Sequence, residues 1–114
     1  MNYNLFNKAR SVEDVLEQHF NEPFENIGYN WFGVKSNKYA IKLSNTGKLF
    51  DKMIINLKDL RTCERNIHLH EFYFVFCVKG IYYLWKYNPN VLDITEDDRK
   101  KGYTYIDKEF LTLI

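Results

Sequence analysis

Apolar and polar positions change their spacing several times along the chain, and each change marks an element. Val12, Val15, Leu16, His19 and Phe20 recur at helical spacing, with Glu13, Asp14, Glu17 and Gln18 turned outward. Ser11 stands where an N-cap belongs, Asp14 stands three residues later, and Asn21 and Pro23 stop the run. The period then drops to two. Residues 30–35 read as a strand with Trp31 and Gly33 on one face. Ser36-Asn37 reads as a turn, and Tyr39, Ile41 and Leu43 read as the buried side of a returning strand. After a turn at Asn45-Thr46-Gly47, Met53, Ile55 and Leu57 share the face of a third strand, and 58–65 reads as a loop or a short helical turn.

The strongest strand signal is Phe72 to Val78, apolar on both faces, followed by Lys79-Gly80 and a second run from Ile81 to Tyr87. This predicts a hairpin stabilised by cross-strand aromatic pairs. Thr95, Asp98 and Gly102 delimit a short helix by capping box and C-terminal glycine. Residues 103–106 read as a short edge strand, and Asp107 is placed to cap a last helical turn carrying Phe110, Leu111 and Ile114. The pattern predicts one α+β domain over residues 1–114. Its sheet is mostly antiparallel, of about four to five strands, with an N-terminal helix and short C-terminal helical elements. Helices at the two ends would cover one face of the sheet and leave the other solvated or free for a partner. The expected core is Val15, Leu16, Phe20, Trp31, Ile41, Ile55, Phe74, Phe76, Leu84 and Phe110.

Composition sharpens this picture. The chain of 114 residues is 46% hydrophobic and 27% charged, which is globular rather than disordered. Sixteen basic against fifteen acidic residues leave a net charge of +1, without the basic excess of a strong nucleic-acid binder. The basic cluster Arg99-Lys100-Lys101 follows Glu96-Asp97-Asp98 and reads as a solvated helix face. The amino terminus has neither a basic nor an apolar signal region, and the longest apolar run, Phe72 to Val78, is too short to cross a bilayer. Two cysteines without a signal peptide suggest free thiols in a reducing, cytoplasmic setting. The abundance of Asn, Lys, Ile, Tyr and Phe matches the bias of an AT-rich genome, as in bacteria, phage or mobile elements.

Chemistry-bearing patterns are sparse. Cys63, His68, His70 and Glu71 are near one another in sequence, and His68 and His70 share a side of an extended segment. Their spacing matches no strong zinc signature. The favoured reading is therefore a polar run entering a strand, with no metal and no cofactor. Cys63, beside charged and imidazole groups, is a better thiol nucleophile candidate than Cys77 in its apolar strand. The five glycines are scattered and form no phosphate loop.

The order of helix, hairpin and further strands resembles the core of the restriction-endonuclease family over about half of the chain. That family places Glu-x-Lys on a strand, with carboxylates holding Mg²⁺. Here Ala40-Ile41-Lys42 supplies the lysine but has alanine at the glutamate position, and Asp51 and Glu71 are the carboxylates left to substitute. The resemblance implies a metal-dependent nuclease or, given Ala40, an inactive relative.

Aromatic residues make up 18% of the chain, with nine Phe, nine Tyr and two Trp. Tyr29, Trp31, Tyr82, Tyr83, Trp85 and Tyr87 are candidate anchors for a protein interface, and Glu13, Asp14 and Glu17 are candidates to meet a basic partner. The sequence thus favours a small non-enzymatic binding protein, an inhibitor or immunity-type factor that docks on a protein. A nuclease-like protein is the first alternative and nucleic-acid binding the second.

Overall fold

A computed structural model describes residues 11–34 and 38–114. The first ten residues and the expected turn at Ser36-Asn37 lie outside the described residues. The chain begins with helix α1 (Val12–Phe20) and an antiparallel meander, β1 (Phe24–Gly28), β2 (Trp31–Val34) and β3 (Tyr39–Thr46). It continues through β4 (Lys52–Asn56) and helix α2 (Leu57–Arg65) to β5 (Glu71–Val78) and β6 (Ile81–Lys86). Helix α3 (Glu96–Lys101), β7 (Tyr103–Asp107), a 3₁₀ turn (Lys108–Phe110) and β8 (Thr112–Leu113) complete it.

Among the described residues six strands form one sheet in the order β1-β2-β3-β5-β6-β8, and β4 and β7 pair as a separate antiparallel ribbon. The main sheet is larger than the four to five strands expected from the pattern. It is antiparallel except at its centre, where β3 and β5 run parallel from Tyr39↔Glu71 to Thr46↔Val78. The parallel pairing follows from the connection, because β4 and α2 carry the chain across one face and back before β5 begins.

Local chemistry explains the elements. In α1 the Ser11 hydroxyl accepts from the Asp14 backbone N–H at 3.2 Å, and the helix ends on Asn21 in the left-handed region. The Thr95–Asp98 capping box and left-handed Gly102 bound α3 as expected. The β5–β6 hairpin turns on Lys79 and Gly80, both with positive φ, in the two-residue geometry that suits the strand twist.

Residues 57–65 are a full helix rather than a loop or a single turn. Asn56 caps it by accepting from the Lys58 N–H at 2.8 Å, and only Leu57, Leu60 and Cys63 are buried. Those three apolar positions among six polar ones left the helical period weak. At the C-terminus the helical turn expected after Asp107 is a 3₁₀ turn followed by β8. The Asp107 carboxylate pairs with Lys52 at 2.7 Å and makes no cap bond.

The sheet is covered on both faces, not on one. On the first face α1 packs through Val12, Val15 and Leu16 against Phe32, Ile41, Val75 and Leu84. On the second, α2 and the β4–β7 ribbon pack through Leu60, Cys63, Met53, Ile55 and Ile106 against Phe72, Phe74, Phe76 and Trp85. Of the expected core, Phe20 and Trp31 are half-buried and Phe110 is exposed, because the chain after Asp107 runs along the sheet edge. Among the described residues no helix is long and apolar enough to cross a membrane.

Candidate functional site

One row of residues crosses the second face of the sheet: Trp31 on β2, Lys42 on β3, Phe74 on β5 and Trp85 on β6 are register partners in turn. A lysine in the middle of an aromatic row keeps its stem among the rings and must carry its ammonium to polar partners. Lys42 Nζ donates to the Tyr29 backbone carbonyl, lies 3.7 Å from Asp59 Oδ1 of α2, and sits 5.4 Å from the centre of the Trp31 ring. One cation thereby ties the third strand, the second helix and the tip of the β1–β2 hairpin together.

That tip is the two-residue turn Tyr29-Asn30, with φ of 53° and 62°. Left-handed backbone favours Gly, Asn or Asp, so a tyrosine there is out of place on conformational grounds. Its side chain is 94% exposed. Behind it a groove of about 310 Å³ opens between the hairpin and the end of α2. Ile27, Tyr29 and Trp31 line one side. Ala40 and Phe72 contribute from the sheet, and Thr62, Asn66 and His70 border it from α2 and the turn that follows. Ala40 is small, and Gly33 leaves space that Ile27 occupies, since a Cβ at Gly33 would lie 3.2 Å from Ile27 Cδ1. Asn66 fixes the far border: its side chain donates to the Thr62 carbonyl at 2.9 Å, and its carbonyl accepts from the Leu69 N–H at 2.9 Å. Ile67 and Leu69 in the same turn are exposed.

The interface residues expected from the sequence are divided by the fold. Trp85 and Tyr82 are buried on opposite faces of the sheet, and Tyr83 and Tyr87 are half-buried against the second-face core. Of that group, Tyr29 and Trp31 reach the groove. Glu13, Asp14 and Glu17 belong to α1 on the other face, so the acidic and aromatic candidates do not form one surface. Ile27, Asp59 and Asn66 escaped the sequence reading. The flanking Gly28 and Asn30 were the available turn signal.

The catalytic and metal candidates are also separated. Glu71 accepts from the Tyr73 hydroxyl at 3.1 Å and lies 3.8 Å from Lys86, while Asp51 pairs with Lys108 at 3.1 Å. Neither carboxylate meets Lys42, whose acidic neighbour is Asp59. Burial, reinforced by the Asp59 charge, pushes the Cys63 thiol up to about 12, which keeps it a protonated core group. His68 is exposed, and His70 packs edge-on against Phe72 with ring centres 5.6 Å apart. Among the described residues no three His, Cys, Asp or Glu side chains are gathered to hold a metal ion.

Comparison with known proteins finds no matching family model, no matching curated protein and no matching solved structure.

Proposed function

We propose that this chain is a non-enzymatic binding protein, an inhibitor or immunity-type factor, that docks on a protein partner through the Tyr29 hairpin tip and the groove behind it. The observation that carries this reading is Tyr29 itself. A large aromatic residue occupies a left-handed turn position, fully presented to solvent, with its backbone held from beneath by Lys42. Non-glycine residues in strained backbone concentrate at functional sites. Tyrosine and tryptophan are enriched among the residues that carry most of the binding energy in protein interfaces. Ile27, Ile67 and Leu69 add exposed apolar surface around it.

The test is affinity capture from the native source with wild-type protein and with Tyr29→Asn. Asparagine suits the left-handed turn, so the fold is kept while the aromatic ring is lost. A partner captured in stoichiometric amount by the wild type and lost with Tyr29→Asn and with Trp31→Ala supports the reading. Equal capture by all three overturns it.

A second reading, a metal-dependent nuclease or inactive relative of the restriction-endonuclease-like family, is favoured by one feature. Lys42 lies on the third strand of the sheet, and α2 leads from there to a parallel neighbour. Metal-dependent cleavage of DNA or RNA that disappears with Lys42→Ala would replace docking by nuclease activity.

A further inference from the structure

Along the same helix α2, and distinct from the Tyr29 groove, a second depression of about 420 Å³ opens towards the β6–α3 connection. Its apolar lining comes from buried Leu57 and Leu60 of α2 and from half-buried Leu92 and Ile94. Arg61 and Arg99, from different helices, line the same space. Neither has an ion-pair partner among the described residues, whereas Lys42, Lys52, Lys86, Lys101 and Lys108 are all paired. Glu64 also lines the depression and pairs with neither arginine. Two guanidinium groups against one carboxylate leave this groove with one uncompensated positive charge.

We propose that this groove binds a small monocarboxylate with an apolar body. The planar guanidinium fork matches a carboxylate in geometry, and two forks from separate helices provide donors for both of its oxygens. The leucines and isoleucine accept the apolar part, and the volume lies within the range of small-molecule sites. Tyr87 lines the groove as well, and its phenol is pushed up chiefly by burial, so it remains a hydrogen-bond donor at neutral pH. The site is independent of the docking surface, so either reading can fail without the other.

Octanoate is a suitable probe, followed by amide chemical-shift changes in the labelled protein. The expected result is saturable shifts confined to residues 57–64 and 87–99. Octanol should bind at least about tenfold more weakly, because it lacks the charge. Arg61→Gln and Arg99→Gln should each weaken octanoate binding by about tenfold, and Glu64→Gln should tighten it. All three side chains are exposed, and an otherwise unchanged spectrum shows that each variant is folded. The proposal is overturned if octanoate gives no saturable shift, if shifts centre on the Tyr29 groove, if octanol binds as well, or if the folded arginine variants bind like the wild type.

Discussion

Lys42 and Asp59 face each other at 3.7 Å across the junction of β3 and α2, with side chains only 17% and 20% exposed. Such a pair lies between a solvated ion pair, worth little, and a fully buried one, whose rupture leaves an uncompensated charge. Lys42→Met should therefore destabilise the protein by roughly 2 kcal/mol. Much of that penalty is Asp59 left alone, so Lys42→Met combined with Asp59→Leu should lose less than the two single changes added together. Urea unfolding of the four proteins measures this coupling. Strict additivity would show that the pair contributes nothing to the junction.

Tyr29→Asn should keep or raise stability, by about 1 kcal/mol, because asparagine tolerates the left-handed turn and the lost ring buries almost nothing. A rise in the urea midpoint with unchanged slope is the expected outcome. A large fall would mean that the ring packs against the hairpin in solution.

The two thiols should behave differently. Cys63 is fully buried and its pKa is pushed up to about 12, whereas Cys77 on β5 is half-exposed. At pH 8 a thiol reagent should modify Cys77 at a measurable rate and Cys63 only after denaturation. Two equally fast thiols in the native protein would contradict the packing of α2 against the sheet.

Asp98 should make stability depend on acid pH. Its carboxyl is held below the ordinary range first by the hydrogen bond from the Thr95 backbone N–H and next by the Thr104 hydroxyl at 2.9 Å. A depressed native pKa means that the unfolded chain takes up the proton first. The stabilisation is thus complete above the normal aspartate range near 4 and is lost as pH falls through the lower native value. The difference in urea midpoint between wild type and Asp98→Asn should be constant near neutrality and narrow below about pH 4. A gap that stays the same down to pH 2 would rule out the carboxylate's charge as its source.

What could be read in advance depended on how much of an element's identity lay in its own residues. Helix α1, the β5–β6 hairpin and α3 announce themselves through period, caps and a Lys-Gly turn, and the structure has them within a residue or so. Helix α2 does not, because three buried positions among charges carry little periodicity. Strand β1 buries Phe24 alone and exists by pairing with β2, and two-residue β8 exists by pairing with β6. The groove at Tyr29 was harder still. Trp31 and Lys42 were visible as residues, but their meeting with Asp59 needed the helix that the sequence concealed. The burial of Trp85 likewise follows from a second covered face, which no alternation within β6 could reveal.

The parallel seam between β3 and β5 also bears on how the chain reaches this structure. Its partners, such as Tyr39 and Glu71, stand thirty-two positions apart, while the β1–β2 and β5–β6 strands are joined by two-residue turns. Tight hairpins close in microseconds, but the central seam must wait for the whole 47–70 segment to be gathered, and the entropy of that closure falls due before any seam contact forms. Ile41 and Val75, on the two strands of the seam, are fully buried. The geometric middle of the sheet should thus assemble after the hairpins, and folding slowed by substitutions there would place the seam in the rate-limiting step.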